Sequence, residues 1–135
     1  MSHDLMIVDD YESMLEYMVL LTEFIARENN FPEPRIITFT SGVKALSYLR
    51  EHVDDLPRGY IVDMRIPGSK EELASPLEIY RLLKQQNAIG DFTFYTGAIS
   101  EHDRAVQRET GARMLVKCLD HNLIKELIRE IIKPQ

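Results

Sequence analysis

Short apolar runs alternate with longer segments of helical apolar spacing along the 135 residues of the chain. Apolar runs bounded by turn residues are typical of buried strands, and periodic segments are typical of amphipathic helices. The predicted strands cover residues 5–8, 35–40, 60–63, 91–96 and 113–117. Regular alternation of strands and helices predicts an α/β layered fold with a parallel sheet and helices on both faces.

The helices between these strands have recognisable ends. The first helical pattern runs from about residue 11 to residue 28. Ser41 and Ser100 are predicted N-caps, Gly111 is a typical glycine after a helix end, and Asp120 is expected to cap the last helix.

Residues 68–76 are polar and have no strong period. They are predicted to form an extended loop with at most one helical turn, at residues 70–73. A helix over residues 77–86 is expected to follow. The loop lies close to the end of the third strand, where it could gate access to a site.

Polar residues stand where the predicted strands end. In an open parallel sheet those ends lie at one edge, where ligands bind. The residues are Asp9, Asp10, Asp63, Thr96 and Lys117. Clustered carboxylates repel one another unless a cation is present, and carboxylate oxygens suit Mg²⁺. An ammonium group suits phosphate, so the set predicts a magnesium-assisted phosphoryl site in which a carboxylate could form an acyl phosphate.

Composition narrows the class of protein. The net charge of −6, from 22 acidic and 16 basic residues, disfavours direct nucleic-acid binding. The single cysteine, Cys118, excludes an internal disulfide and favours a reducing, cytoplasmic compartment. The N-terminus has no signal-peptide pattern and no segment is apolar enough to span a membrane. We expect one domain over residues 1–135 without membrane association.

The strand-end residues, with Pro67 four positions after Asp63, resemble the receiver domains of two-component response regulators. The resemblance covers the whole chain. It implies a (βα)5 doubly wound three-layer sandwich with a five-stranded parallel sheet in strand order 2-1-3-4-5. It also implies a signalling switch rather than an ordinary enzyme, with a histidine kinase or phosphorelay histidine protein as donor and a downstream protein target.

The resemblance also assigns roles to individual residues. It implies Mg²⁺, or Mn²⁺, bound directly by Asp10, with Asp9 orienting through water. Asp63 and the backbone carbonyl of Arg65 would be further ligands.

The phosphoryl group itself would go to Asp63. Thr96 and Lys117 would contact its oxygens, and Thr96 would move toward Asp63 as the switch.

Two residues depart from the family's pattern. Met114 stands three residues before Lys117, where receivers usually carry an aromatic residue. Cys118 follows Lys117 in place of proline, so the bond between them is expected to be either trans in a rearranged loop or cis and strained.

The first helix is apolar on more than one side. By the family's register, the core-facing residues are Met14, Tyr17, Met18, Leu21 and Ile25. The remaining apolar residues are Leu15, Val19, Leu20 and Phe24. This excess predicts a partner surface or a homodimer contact.

Two other functions fit parts of the pattern. A pseudo-receiver that binds partners without a phospho-switch is favoured by Met114 and Cys118. A Mg²⁺-dependent phosphatase usually needs a second aspartate two residues after its nucleophile, and Arg65 occupies that position.

Overall fold

The structure, a computed structural model, describes residues 3–135. Met1 and Ser2 lie outside the described residues. They belong to the N-terminal segment for which the sequence predicts no signal peptide. The strands are β1 (Leu5–Val8), β2 (Ile36–Phe39), β3 (Gly59–Asp63), β4 (Asp91–Thr96) and β5 (Arg113–Val116). The helices are α1 (Glu12–Glu28), α2 (Gly42–Glu51), α3 (Lys70–Gln85), α4 (Glu101–Thr110) and α5 (His121–Ile132). Across residues 3–135, no helix has the length and apolar character needed to cross a membrane.

The five strands form one parallel sheet in the order β2-β1-β3-β4-β5. Apolar side chains of α2, α3 and α4 pack on one face, and those of α1 and α5 pack on the other. The predicted fold class and strand order are therefore confirmed. Because all strands run in one direction, their carboxyl ends lie along one edge.

Most helix ends follow the predicted capping residues. The Ser41 hydroxyl accepts a hydrogen bond from the Lys44 backbone N–H at 3.1 Å. Ser100 begins α4 with a capping box, and Gly111 ends it in the left-handed conformation with φ of 71°. Asp120 stands at the start of α5, but its side chain does not cap that helix, so this prediction is wrong.

Helix α3 begins at Lys70, so the prediction of an extended loop over residues 68–76 is wrong. Pro76 lies inside the helix and lacks the N–H that would reach the carbonyl of Glu72. The Ser75 hydroxyl donates to that carbonyl instead, at 2.7 Å. The neighbouring side chain therefore replaces the hydrogen bond that proline removes, and the helix continues through it.

The early start of α3 is also held by α2. The Glu72 carboxylate accepts hydrogen bonds from the Ser41 hydroxyl at 2.5 Å and from the Val43 backbone N–H at 2.9 Å. A side chain at Gly42 would collide with Ser75, since its Cβ would lie 1.8 Å from the Ser75 oxygen. Glycine at this position thus lets the two helices approach closely.

The core-facing side of α1 differs from the prediction. The helix buries Leu15, Met18, Thr22, Ile25 and Ala26. Tyr17, predicted to face the core, is 43% exposed and its hydroxyl contacts His121. The buried side of α1 is rotated slightly relative to the predicted side. Ala26 fits there because it is small, and Thr22 fits because its hydroxyl is hydrogen-bonded within the helix. Thr22 donates to the Met18 carbonyl within the helix.

Candidate functional site

The carboxyl edge of the sheet brings the predicted polar residues together. Asp9 follows β1 and its backbone N–H donates to Phe39 of β2 at 3.0 Å. Asp63 is the last residue of β3. The backbone N–H of Lys117 donates to the carbonyl of Thr96 at 2.7 Å. These bonds continue the strand ladders, so the side chains are fixed by the sheet itself.

Lys117 joins two carboxylates from different strands. Its Nζ lies 2.8 Å from Asp9 Oδ2 and 3.0 Å from Asp63 Oδ2. Asp9 and Asp63 are 2% and 5% exposed. Two buried carboxylates would be costly without a cation, and Lys117 supplies one between them.

Asp10 completes an acidic group with Asp9 and Asp63. Each of the three offers a carboxylate oxygen, and these oxygens all lie within 4.8 Å of one another. Asp10 is the half-buried member and faces solvent more than the other two. Converging carboxylate oxygens of this kind suit a hard divalent cation that keeps several of its waters.

Burial raises the pKa of Asp63 from 3.8 to about 6. The hydrogen bond from the Arg65 backbone N–H and the charge of Lys117 oppose this rise but do not cancel it. Burial would lower the pKa of Lys117, yet its hydrogen bonds and attraction to Asp9 and Asp63 raise it overall. Lys117 is thus held charged, while the raised pKa of Asp63 means that this carboxyl ionises only around pH 6.

Arg65 places a second cation beside the site. Its backbone N–H donates to Asp63 Oδ1 at 3.0 Å. Its guanidinium donates to Thr96 Oγ1 at 3.3 Å and to Asp103 Oδ2 at 2.8 Å. The Thr96 hydroxyl donates to the carbonyl of Ala98 at 3.1 Å. The buried hydroxyl of Thr96 is therefore held between two groups other than the Asp63 carboxylate.

Asp103 connects this network to helix α4. It is 1% exposed, and its Oδ2 also accepts from the Ser100 backbone N–H at 2.9 Å. Among the residues the structure describes, its Oδ1 is one of few buried side-chain polar atoms with no hydrogen-bond partner. Sequence reasoning missed Asp103 and the side chain of Arg65. The spacing of Ser100 and Asp103 indicates a capping box, but nothing in the sequence links Asp103 to Arg65.

In the loop after β5, the peptide bond between Lys117 and Cys118 is trans, which is the first of the two predicted alternatives. Within residues 3–135 no peptide bond is cis, and Cys118 has a left-handed backbone with φ of 69°. The Asp120 carboxylate accepts from the Val116 backbone N–H at 2.7 Å, which closes the turn and explains why it does not cap α5. Met114 is buried against the α4 face of the sheet.

Solved structures of receiver domains resemble the chain over nearly its whole length. A LuxR-family DNA-binding response regulator from Staphylococcus aureus is 16% identical, with 96% of this chain and 98% of that chain covered and a TM-score of 0.71. The signal receiver domain of an HD domain-containing protein from Pseudomonas fluorescens is also 16% identical, with 98% and 96% covered and a TM-score of 0.72. The chemotaxis protein CheY4 from Vibrio cholerae is 15% identical, with 97% and 99% covered and a TM-score of 0.66.

No protein-family model matches the sequence, and no curated protein matches it. At identities this low, the structural likeness establishes the fold. The chain has the flavodoxin-like fold of response regulator receiver domains.

Proposed function

We propose that the chain is a receiver domain that accepts a phosphoryl group on Asp63 from the phosphohistidine of a histidine kinase or a phosphorelay histidine protein. The observation that carries the proposal is the ammonium of Lys117 between Asp9 and Asp63, beside Asp10. A cation held against a buried strand-end carboxylate is suited to an anionic ligand arriving at that carboxylate.

The chemistry is an in-line transfer. A carboxylate oxygen of Asp63 attacks the phosphorus, the phosphorus–nitrogen bond of the donor breaks, and its electron pair stays on the imidazole. The product is an acyl phosphate on Asp63. The reaction needs ionised Asp63, whose pKa of about 6 makes the nucleophile abundant at neutral pH. The ammonium of Lys117 would stabilise the negative charge on the phosphoryl oxygens during the transfer.

A divalent cation, Mg²⁺ or Mn²⁺, is part of the proposal. Asp9, Asp10, Asp63 and the backbone carbonyl of Arg65 would hold it. When bound, it would offset the charge of the carboxylates and of the phosphoryl oxygens. The chain contributes the convergent carboxylate oxygens on which this assignment rests.

The signal is proposed to be a population shift that starts at Thr96. Its hydroxyl would leave the Ala98 carbonyl for a phosphoryl oxygen, and the altered surface would bind a downstream protein. This role makes the chain a switch whose own residues assist its phosphorylation and dephosphorylation.

Phosphorylation is tested by incubation with acetyl phosphate and Mg²⁺, followed by intact mass spectrometry. The expected result is one added phosphoryl group in the wild type and none in Asp63→Asn. Asp91→Asn is the matched control, because Asp91 is exposed at the opposite end of the sheet. Addition to Asp63→Asn, or none to the wild type with this donor and with a phosphorylated histidine protein, would contradict the proposal.

The donor is proposed to dock on the outer face of α1. Leu20 is 64% exposed and Phe24 is 48% exposed there. In Leu20→Ala/Phe24→Ala, transfer from phosphorylated histidine phosphotransfer domains should fall while phosphorylation by acetyl phosphate is unchanged. Val53→Ala is the control, because Val53 is exposed just after α2, which packs on the opposite face of the sheet from α1. An unchanged transfer rate together with weaker self-association in sedimentation would instead assign this face to a homodimer.

A pseudo-receiver is the second candidate, favoured by buried Met114 and by the left-handed turn at Cys118. Beryllofluoride, a phosphoryl mimic, separates the two functions. Binding with Mg²⁺ that leaves the rest of the domain unchanged would support the pseudo-receiver.

A further inference from the structure

We propose that Arg65 and Asp103 form a positioning pair that holds the Thr96 hydroxyl in its resting direction and couples the phosphoacceptor to helix α4. This inference rests on the proposed function of Asp63. It gives the side chain of Arg65 a role separate from that of its backbone carbonyl.

The resting direction of Thr96 is set by two contacts. One guanidinium nitrogen of Arg65 donates a hydrogen bond to Thr96 Oγ1 at 3.3 Å, and the Thr96 hydroxyl donates to the carbonyl of Ala98 at 3.1 Å. The side chain is 1% exposed, so water does not compete for it. For Thr96 to turn toward a group on Asp63, both contacts must be exchanged for others.

Arg65 itself is fixed by Asp103. The second guanidinium nitrogen donates to Asp103 Oδ2 at 2.8 Å, a charge-assisted bond about twice as strong as a neutral one. The same carboxylate oxygen accepts the Ser100 backbone N–H and so closes the first turn of α4. One oxygen atom therefore belongs both to the resting network and to the start of the helix.

A phosphoryl group on Asp63 would compete for this guanidinium. Arg65 follows Asp63 by two residues, and its backbone N–H already donates to the Asp63 carboxylate at 3.0 Å. A dianionic phosphoryl group is a stronger acceptor than a hydroxyl and suits the forked guanidinium. The Arg65 side chain is 51% exposed, so it can move without repacking the core.

Loss of Arg65 would leave Asp103 buried with only the Ser100 N–H. A buried carboxylate with a partnerless Oδ1 cannot stay in place at low cost. The first turn of α4 would rearrange with it. The conformational change would thus be transmitted from Asp63 to α4 through the side chain of Arg65.

The test is amide NMR of the full chain during titration with beryllofluoride and Mg²⁺. In the wild type, resonances of Asp63, Thr96 and Lys117 and of the first turn of α4 should shift together. In Arg65→Met the resonances near Asp63 should still shift, while those of α4 should not follow.

Asp103→Asn provides the opposite readout. Asparagine can still accept the Ser100 N–H, so the cap is kept, but its bond to Arg65 loses the charge. Beryllofluoride should bind about three- to tenfold more tightly, because the resting network is weaker. If Asp103 had only a structural role, Asp103→Asn would bind beryllofluoride more weakly than the wild type.

Arg81→Met is the matched control, since Arg81 also pairs with a carboxylate of α4, that of Glu109, but through an exposed contact that does not involve Asp63 or Thr96. It should titrate like the wild type. The inference is overturned if α4 still responds in Arg65→Met, if α4 stays silent in the wild type while the Asp63 region shifts, or if Asp103→Asn binds no more tightly. No response anywhere in the wild type would overturn the proposed function, and this inference with it.

Discussion

Two cations flank Asp63, and they are built differently. The Lys117 cluster joins Lys117 to Asp9 and Asp63, and the lysine side chain is 14% exposed. The Arg65 cluster joins Arg65 to Thr96 and Asp103, and the arginine side chain is 51% exposed. Each cation bridges two oxygen atoms from different elements. The two clusters therefore differ in burial more than in connectivity.

Under the proposed function, this difference separates phosphoryl transfer from signalling. Lys117 compensates the charges of two buried carboxylates. Moving its ammonium away would leave both without a cation and would destabilise the folded chain strongly. Arg65 holds one buried charge and one hydroxyl from a position half in solvent, so its guanidinium can move to another partner without repacking the core. A fixed cation suits phosphoryl transfer, and an exchangeable cation suits a switch.

The largest expected effect is on the Lys117 cluster. Lys117→Met leaves Asp9 and Asp63 buried without a cation and should lower the free energy of unfolding by about 3 kcal/mol. Urea denaturation in EDTA at about pH 8 measures it. Mg²⁺ should restore part of the loss, and exposed Lys84→Met is the control. An effect no larger than that of the control would remove the contrast between the clusters.

Asp63→Asn should have an intermediate effect that depends on pH. The folded chain binds the Asp63 proton more tightly than the unfolded chain, because its pKa is raised from 3.8 to about 6. Ionisation of Asp63 therefore costs stability as pH rises through this interval, and the whole cost is present above it.

The variant, which lacks this cost, should be more stable than the wild type by on the order of 1 kcal/mol at about pH 8 without metal. The advantage should shrink as the pH falls through this interval and disappear below about pH 3, where Asp63 is protonated in both states. Denaturation curves across this pH range provide the measurement. A variant that is less stable at the higher pH would show that Lys117 outweighs burial.

The Arg65 cluster should contribute less to stability. Arg65→Met is expected to cost about 1 kcal/mol, because the first turn of α4 can rearrange together with Asp103 and so limits the cost of the lost partner. Thermal unfolding compared with the wild type checks this value. A loss as large as that of Lys117→Met would mean that Arg65 is a fixed structural cation rather than an exchangeable one.

Arg81→Met should have the smallest effect. Both members of the Arg81–Glu109 pair are more than half exposed, at 57% and 55%. Exposed pairs of this kind contribute less than about 0.5 kcal/mol. Thermal unfolding at low and high salt measures it, and any larger effect would show that the α3–α4 contact matters outside the Arg65 cluster.

Sequence predicts the sheet well because each strand is a local signal. Apolar runs of the right length give all five strands to within one residue at each end, and parallel order then brings their polar ends to one edge. The placement of Asp9, Asp63 and Lys117 follows from backbone geometry alone.

Side-chain contacts, whether within one helix or between separate elements, were not predictable in this way. Pro76 indicates a helix start when read locally, and only the Ser75 hydroxyl beneath it shows why the helix passes through. The bond from Arg65 to Asp103 spans 38 positions and has no periodic signal. The apolar stripe of α1 is ambiguous because the helix carries more apolar residues than one face needs.

The joint between α2 and α3 limits how this domain can be recombined. Gly42 leaves room for Ser75, and Glu72 supplies acceptors for Ser41 and Val43. A chimaera that imports α3 from a protein of the same fold without the counterparts of Glu72 and Ser75 would lose those acceptors and leave a gap over Gly42. These positions depend on one another, so α2 and α3 have to be exchanged together in any chimaera of this domain.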